Sequence, residues 1–396
     1  MNNRDVVIVS GARTPIGKFL GALAPLRAPQ LGATAIEAAL KRAGVTGGEP
    51  DEVFFGNVGQ AGVGQAPARQ AAIAGGIAPE VPATTINKVC GSGLKAVMLG
   101  STTIRAGDAE IIVAGGMESM SNAPHYLFTG RTGVKLGDQK LVDGAVFDGL
   151  WCSFNNSHMG GLAEYTAEKS GITRQAQDEL ALRSHQRAVA AQKAGKFKKE
   201  IACVHIPQRK GDPICVTDDE SPRADTSLEA LAKLPTVFKK DGTVTPGNAP
   251  GLNDGAAALV LMSAATAKKR GVQPLARVTA YANGAMEPKD LFYAPVVAVN
   301  RVLQQLGQMI DYFDLIEVNE AFAAQALADG KELGWDWDRV NVNGGAVALG
   351  HPIGASGARI LVTLLHALAD RGQKTGLATL CLGGGGAVAL AVERIS

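Results

Sequence analysis

Short apolar runs alternate along this chain with longer segments in which apolar residues recur every three or four positions. The short runs are rich in valine and isoleucine, which predicts strands buried on both faces, and the longer segments predict amphipathic helices. The predicted strands are 6–9, 53–55, 111–114, 278–281, 315–318 and 377–382, and the predicted helices include 31–42, 94–105, 173–194 and 358–369. This alternation predicts an α/β protein with helices on both faces of its sheets.

A similar order of signals occurs twice in the chain. Residues 51–57 (Asp-Glu-Val-Phe-Phe-Gly-Asn) resemble residues 314–319 (Asp-Leu-Ile-Glu-Val-Asn). Each is followed by a polar loop (87–93 or 343–357), then by a predicted helix and by a buried strand that ends in glycines. The repetition predicts an internal duplication at the scale of a domain.

The duplication predicts two similar halves, residues 1–271 and 272–396. Within the first half, residues 122–251 differ in composition and are predicted to form an inserted loop domain. From Arg183 to Lys210 this segment has eight lysines and arginines against a single acidic residue. Such a run is typical of a solvated helix face.

Composition and charge exclude several classes of protein. The 396 residues include 39 basic and 37 acidic side chains, a formal net charge of +2, and 46% of them are hydrophobic. Disorder and nucleic-acid binding are therefore not expected. The N-terminus leads directly into a predicted strand without a signal segment, so the cytoplasm is the expected location. The longest uncharged stretch, 375–392, has four glycines in its middle and predicts two strands around a turn rather than a membrane span.

The chain has five cysteines, Cys90, Cys152, Cys203, Cys215 and Cys381. Their number is odd and no two of them form a C-x-x-C motif, so neither a disulfide framework nor a zinc ribbon is expected. A reducing compartment fits this usage, and no metal site is predicted.

Cys90 is a candidate nucleophile because it lies where an extended segment meets a predicted helix that starts near Ser92. The N-terminus of a helix favours a thiolate, so the pKa of this thiol is expected to be lowered. A small buried residue is the ordinary alternative. Residues 91–96 (Gly-Ser-Gly-Leu-Lys-Ala) also fit the G-x-G-x-x-A pattern of a dinucleotide site, although the motif begins late in the chain.

His351 occupies the position in the second half that Cys90 occupies in the first. If the halves pack with pseudo-twofold symmetry, the two loops meet and form a Cys–His pair, which is an activated nucleophile. Cys381 ends a predicted strand before four glycines, where a thiol could serve as acid or base beside free backbone N–H groups. Asn319 ends another strand, where its amide could orient a water or an oxyanion, or cap the next helix. Structural roles in the core or in a loop remain the alternatives for these residues.

Four motifs together make the sequence resemble the thiolase family of acetyl-CoA acetyltransferases and 3-ketoacyl-CoA thiolases. They are Asn-Lys-Val-Cys-Gly-Ser-Gly at 87–93, Asn-Glu-Ala-Phe at 319–322, Gly-His-Pro-Ile-Gly-Ala-Ser-Gly at 350–357 and Cys-Leu-Gly-Gly-Gly at 381–385. The resemblance runs nearly end to end. It implies the thiolase fold, in which two similar α/β halves stack as five layers (α-β-α-β-α) with an inserted loop domain.

The resemblance also implies an acyltransferase, an acetyl-CoA C-acetyltransferase that reversibly condenses two acetyl-CoA to acetoacetyl-CoA and CoA. The alternative is a broad-chain 3-ketoacyl-CoA thiolase of fatty-acid β-oxidation. Cys90 would be acylated with the help of His351, and Cys381 would take a proton from the second acetyl-CoA. One oxyanion site would comprise Asn319 and His351, and another the backbone N–H groups of Cys90 and Gly383.

Positions that match the family's substrate contacts are Leu150, His158, Met159, Arg223, Phe238, Ala249, Ala321 and Phe322. Met159 would narrow the acyl pocket, which favours acetyl and acetoacetyl groups. Arg223 and the basic run would face the nucleotide and phosphates of CoA. Pro250 departs from the family pattern, because many members have a serine there that contacts the pantetheine arm.

The resemblance implies CoA thioesters as substrates and no cofactor. It also implies a homo-oligomer, a dimer or a tetramer, since residues 120–143 resemble the family's tetramerisation loop. Neither a nucleic acid nor a membrane is expected as a partner.

Overall fold

The computed structural model describes residues 2–395. Its strands are β1 (Val6–Arg13), β2 (Gly17–Lys18), β3 (Glu52–Gly56), β4 (Ala83–Ile86), β5 (Ile111–Ser119), β6 (His125–Tyr126), β7 (Val142–Asp143), β8 (Trp151–Cys152), β9 (Ser157–His158), β10 (Val204–Ile206), β11 (Ile214–Val216), β12 (Asn253–Ser263), β13 (Ala276–Ala285), β14 (Leu315–Val318), β15 (Thr375–Leu382) and β16 (Gly386–Arg394). The helices are α1 (Ala28–Ala43), α2 (Pro67–Ala74), α3 (Ser92–Ala106), α4 (Met159–Ser170), α5 (Arg174–Lys193), α6 (Leu228–Ala232), α7 (Ala264–Arg270), α8 (Ala294–Leu306), α9 (Ala323–Leu333), α10 (Ala346–Leu349) and α11 (Ser356–Asp370).

The duplication predicted from the sequence is present in the order of the strands. One side of the sheet system runs β1-β12-β5-β3-β4, and the other runs β13-β16-β15-β14 and ends in a bridge between Ile316 and Val340. On both sides the first two pairings are antiparallel and the last two are parallel. The edge strands β1 and β13 meet through the pairs Val7–Arg277 and Ile8–Ala276. The fold is therefore the predicted α/β thiolase fold.

Alternation of side chains along β1 shows how the layers are built. Val6 and Ile8 join the cluster that contains α3 and α11, whereas Val7 and Val9 join the cluster that contains α1 and α2. Successive residues of a strand point to opposite faces, so both faces of this sheet are buried. On the far side α8 covers the second sheet. The result is five layers with α3 and α11 in the middle.

The two central helices start side by side because glycines occupy their first turns. A Cβ atom on Gly93 would lie 2.8 Å from the backbone nitrogen of Ala358, and one on Gly357 would lie 2.5 Å from that of Leu94. These distances leave no room for a side chain, so the N-termini of α3 and α11 approach at backbone distance. The loops that precede the two helices are thereby brought together.

A buried ion cluster anchors the segment between β5 and β12 to the first sheet. The guanidinium group of Arg13 binds the carboxylates of Glu200 and Asp219 at 2.6 and 2.7 Å. All three residues are buried. Removal of Arg13 would leave two carboxylates in the core without this cation, and breaking a buried ion pair costs about 3 to 5 kcal/mol in comparable cases.

One cysteine pair differs from the sequence prediction. Cys203 and Cys215 are joined by a disulfide, although no disulfide framework was expected. The antiparallel pairing of β10 with β11 brings their Cα atoms within 5.6 Å, and this pairing had no signature in the sequence. Cys90, Cys152 and Cys381 are free.

The uncharged stretch 375–392 forms β15, a glycine turn and most of β16, as predicted. Within residues 2–395 no helix combines the length and the hydropathy that crossing a membrane would need.

Candidate active site

The loops before α3 and α11 meet at a cavity of about 330 Å³. Of the predicted catalytic residues, Cys90, His351, Cys381 and Gly383 line it. Of the predicted substrate contacts, the lining includes Leu150, His158, Met159, Phe238, Ala249, Ala321 and Phe322. One cavity therefore collects residues from both halves and from the segment between β5 and β12.

Two predicted residues do not line the cavity. Asn319 is fully buried behind it, with its Nδ2 atom 3.4 Å from Nε2 of His351. Arg223 lies on the surface, where its backbone N–H donates to Nδ1 of His185. Asn319 can therefore act through His351 or through a small bound molecule, and Arg223 can meet only a part of a ligand that extends beyond the cavity.

The turn that carries Cys90 is held in an unfavourable backbone conformation. Val89 has φ = 47°, in the left-handed region that β-branched residues rarely adopt. Such a residue costs on the order of 1–3 kcal/mol and persists only where its surroundings impose it. Here the Ser92 hydroxyl donates to the Val89 carbonyl at 2.6 Å and accepts from the Lys88 backbone N–H at 2.9 Å. The turn presents Cys90 to the cavity two residues before the first residue of α3.

The Cys90 thiol is neutral, which corrects the sequence prediction. Burial raises its pKa to about 12, and the Glu118 carboxylate raises it further. The backbone N–H groups of Gly383 and of Cys90 itself act in the opposite direction but do not prevail. The prediction of a lowered pKa considered only the helix N-terminus, and in this partly buried site desolvation is the larger effect.

His351 is buried and is also neutral. Burial, aided by the cation of Arg359, lowers its pKa to about 3. The Ser356 hydroxyl donates its only proton to the Pro352 carbonyl at 2.9 Å, so it must accept from Nδ1–H of His351 at 2.6 Å. This assigns the proton to Nδ1 and leaves Nε2 as an unprotonated base beside Asn319.

Cys381 is the next-to-last residue of β15 and is fully buried. Burial raises the pKa of its thiol well above the ordinary value, and the proximity of Cys90 adds to this. After Leu382, the last residue of β15, positions 384 and 385 must be glycines, because they have φ = 84° and 88° and a Cβ on Gly385 would lie 2.4 Å from the Met286 carbonyl. The chain thus turns sharply and leaves the Gly383 backbone open to the cavity.

Aromatic side chains form the wall opposite the thiols. The His158 ring stacks on Phe238 with centroids 4.7 Å apart, and Phe322 meets Phe292 edge to face at 5.5 Å. Nδ1 of His158 accepts from the Gly160 N–H at 3.0 Å, so its proton is on Nε2 and that atom can donate to a ligand. The site offers an apolar slot with a few polar groups, as ligand pockets usually do.

Several residues of the site were not predicted from the sequence. Those that line the cavity include Met120, Val146, Leu252, Leu291, Phe292 and Ile353. Behind the cavity the buried carboxylate of Glu118 accepts from the backbone N–H groups of Gly354, Val58 and Gly59 at 2.9 to 3.1 Å. Glu118 thereby ties the His351 loop to the first half of the chain, and burial raises its pKa to about 7. A single glutamate that binds backbone groups has no sequence signature beyond its place at the end of β5.

No cluster of three or more histidine, cysteine, aspartate or glutamate side chains in residues 2–395 is arranged to hold a metal ion.

Comparison with known proteins agrees with this geometry. Residues 6–265 match the domain family described as "Thiolase, N-terminal domain", and residues 272–394 match "Thiolase, C-terminal domain". The chain therefore belongs to the thiolase family.

Full-length relatives share half or more of the residues. A Pseudomonas aeruginosa protein named "Acetyl-CoA acetyltransferase" is 56% identical over 391 residues, which cover 99% of this chain and 100% of that protein. A Cupriavidus necator protein of the same name is 58% identical over 390 residues (98% and 99%). A "Probable acetyl-CoA acetyltransferase" of Escherichia coli K12 is 53% identical over 391 residues (99% and 99%).

Proposed function

We propose that this chain is an acetyl-CoA C-acetyltransferase, which condenses two acetyl-CoA to acetoacetyl-CoA and CoA and also catalyses the reverse thiolysis. The observation that carries the proposal is the presence of Cys90, His351 and Cys381 on one apolar cavity. The names of the relatives support the same activity. CoA thioesters are the substrates, and no cofactor takes part.

The first half-reaction acetylates Cys90. Its sulfur attacks the thioester carbonyl of acetyl-CoA while its proton passes to Nε2 of His351. Because both groups are neutral at rest, this proton moves as the S–C bond forms and not before. The negative charge that develops on the carbonyl oxygen is held by the backbone N–H groups of Cys90 and Gly383. Loss of one such donor typically costs about 10² to 10³ in rate.

Departure of CoA prepares the base for the second half-reaction. When the bond between the acetyl carbon and the CoA sulfur breaks, that sulfur takes the proton of Cys381. A buried thiol with a raised pKa gives up its proton only to a strong acceptor, and a departing thiolate is one. The enzyme is then an acetyl-thioester at Cys90, a thiolate at Cys381 and an imidazolium at His351.

The second half-reaction forms the carbon–carbon bond. The Cys381 thiolate takes a proton from the methyl group of a second acetyl-CoA, and the resulting enolate oxygen is held by His351 and by a water bound to Asn319. The enolate carbon attacks the acetyl carbonyl and the bond to Cys90 breaks. The Cys90 sulfur recovers its proton from His351, so every group returns to its starting state.

Specificity for short acyl groups is assigned to Met159 and the aromatic wall. Met159 lines the cavity with Phe238, Phe292 and Phe322, and about 330 Å³ is near the lower end of the range for ligand pockets. Pro250 also lines it, so the pantetheine arm passes a surface without a hydroxyl at that position. The Nε2–H group of His158 is the donor available to that arm.

Outside the cavity, the exposed Arg223 and the basic run 183–210 are proposed to face the phosphates of CoA.

The domains that we propose for the chain are residues 1–271 and 272–396, and the loop domain 122–251 lies within the first of them. A homo-oligomer and a cytoplasmic location also belong to the proposal. Exposed apolar side chains of 120–143, such as Leu136 at 95% exposure, favour the oligomer, and light scattering would measure it.

The deciding experiment compares CoA-dependent thiolysis of acetoacetyl-CoA with that of 3-ketoacyl-CoA esters of six and ten carbons. We expect the highest kcat/KM for acetoacetyl-CoA. Met159→Ala should raise the relative kcat/KM for the longer esters by roughly 10-fold, the lower end of the discrimination that one methylene group gives in an apolar pocket. Met309→Ala, at an exposed methionine, is the control and should change nothing. Comparable rates of the wild type on all three esters would favour the broad-chain thiolase of fatty-acid β-oxidation.

A further inference from the structure

A carboxyl group that the mechanism above does not use lies buried on α9. Asp329 has no exposed surface. Its Oδ2 atom accepts from Nε2 of Gln325 at 2.5 Å, and its Oδ1 atom has no hydrogen-bond partner among the described residues. An ionised carboxylate in this environment would be very costly unless a cation compensated it.

Seven cations on α9 and on the elements packed against it have partners other than Asp329, and Lys193 at the end of α5 is exposed. Lys331 donates to the Ser170 carbonyl, Lys169 pairs with Asp290, Arg174 with Asp178, Arg187 binds two carbonyls, Arg301 binds the Asn283 carbonyl, and Arg183 and Lys289 lie over Trp337 and Tyr165. The charged group that acts on Asp329 is Glu332, which has the same sign. Burial raises the pKa of Asp329 well above its ordinary value, in keeping with this arrangement.

Hydrogen bonds connect Asp329 with the catalytic residues. With its Nε2 atom bound by Asp329, Gln325 turns its Oε1 atom to the backbone N–H of Ala321, at 3.0 Å. The same N–H lies 2.9 Å from the Asn319 carbonyl, and the Asn319 amide lies beside His351. Asp329 therefore determines which end of the Gln325 amide faces the turn at residues 319–322.

The electrostatic position of Asp329 matters as well. It lies close enough to Cys381 for a charge on it to raise the pKa of that thiol. A neutral Asp329 does not repel the one negative charge that forms during condensation. The proposed mechanism places that charge first on Cys381 and then on the enolate. An ionised Asp329 would oppose both.

We propose that Asp329 is a positioning residue, held as the neutral carboxylic acid, which through Gln325 holds the turn that carries Asn319 and Ala321 in its condensation-competent form. The inference rests on the proposed function and deepens it for the second half-reaction. Acetylation of Cys90 uses His351 and the N–H groups of Cys90 and Gly383, and it needs no water bound to Asn319. Condensation uses that water as well, so it depends more strongly on the position of the turn.

Two variants separate positioning from a general structural role. Asp329→Asn keeps an acceptor for Gln325 without a charge, whereas Asp329→Val has a similar shape and no acceptor. We expect Asp329→Val to slow condensation of the acetylated enzyme by about 10- to 100-fold, the scale of a misplaced catalytic group. Acetylation of Cys90, followed by intact mass, should change by less than about 3-fold, and Asp329→Asn should restore condensation. Equal slowing of both half-reactions, or an Asp329→Asn variant as impaired as Asp329→Val, would overturn the proposal.

Thermal unfolding of Asp329→Asn tests the neutral state even if Asp329→Val fails to fold. The pKa of Asp329 is raised in the folded state, so the wild type loses stability as pH rises above the ordinary carboxyl pKa. The asparagine variant should have a higher Tm than the wild type at pH 8, and the difference should shrink toward pH 5. A lower Tm at both pH values would mean an ionised, compensated Asp329 and would overturn the inference. Failure of the wild type to cleave acetoacetyl-CoA would overturn the proposed function alone, because the Tm comparison does not depend on it.

Discussion

The loops before α3 and α11 occupy equivalent positions in the two halves, and each is followed by a serine at the first position of its helix, Ser92 or Ser356. The two serines form different hydrogen bonds. Ser92 closes its own turn, since it accepts from Lys88 and donates to Val89, and so holds the strained backbone before the nucleophile. Ser356 donates to Pro352 and accepts from the His351 ring, and so selects the tautomer of the base. The two halves have thus supplied two similar helix starts, and the proposed mechanism uses Cys90 before one of them as the nucleophile and His351 before the other as the base.

The strand ends beside these loops differ in the same way. In the second half of β5, Gly116 makes room for the other half of the chain, because a Cβ atom there would lie 2.1 Å from the Gly354 carbonyl. At the end of β15, Cys381 lines the cavity. One half makes space where the other supplies a thiol, to which the proposed mechanism gives the acid–base role.

The largest expected effect comes from removing the nucleophile of the first half. Cys90→Ala should abolish acetylation by acetyl-CoA and lower thiolysis by at least about 10⁴-fold, as loss of a nucleophile does in comparable enzymes. Intact mass measures the acetylation, and Cys152→Ala, at a buried cysteine away from the cavity lining, is the control. An acetylated Cys90→Ala protein would place the nucleophile elsewhere.

Removing the base of the second half should have the next largest effect. His351→Ala should slow both half-reactions by about 10² to 10⁴, the usual contribution of general acid–base catalysis. Rapid-quench measurements of acetylation and condensation would report each step separately, with His125→Ala at an exposed histidine as the control. If only one half-reaction slowed, His351 would not serve both proton transfers.

The neutral state of the Cys–His pair predicts an alkaline reactivity profile. A thiol with a pKa of about 12 gains thiolate roughly tenfold per pH unit, so alkylation of Cys90 by iodoacetamide should accelerate about 100-fold between pH 7 and 9. Peptide mapping would follow Cys90 specifically. An alkylation rate that is already constant above about pH 7 would instead indicate that Cys90 and His351 form a thiolate–imidazolium ion pair at rest.

The two serines give the smallest and sharpest test. Ser356→Ala frees the tautomer of His351 and should lower kcat by roughly 5-fold, because a side-chain hydrogen bond to the base contributes on the order of 1 kcal/mol. Ser92→Ala releases the Val89 turn and should lower Tm, with a smaller loss of kcat in the folded fraction. Similar kinetics and stability in the two variants would show that the serines have the same role.

The sequence was sufficient for the fold and for much of the site, since strands 6–9, 111–114 and 377–382 are all contained in longer observed strands. It did not predict β12, which begins with Asn253 and is buried throughout but rich in alanine, because hydrophobic periodicity is weak there. Nor did periodicity reveal Glu118, Ser356 or Asp329, whose partners are distant in the chain or are backbone groups.

The expectation that the pKa of Cys90 is lowered was wrong for a related reason. The helix N-terminus is readable from residue order, whereas the degree of desolvation depends on what packs around the thiol from the second half of the chain. A single sequence shows local signals such as the start of a helix. It does not show how deeply a given side chain is buried by residues that are distant in the chain.

The most direct test of a site shared between the halves is Cys381→Ala mixed with acetyl-CoA, with intact mass and acetoacetyl-CoA measured in the same sample. We expect Cys90 to be acetylated, because its attack requires only His351 and the backbone N–H groups, and we expect no acetoacetyl-CoA, because no group is left to take the methyl proton. An enzyme that stays unacetylated would contradict the division of roles between the two cysteines. Continued formation of acetoacetyl-CoA would show that the base lies elsewhere.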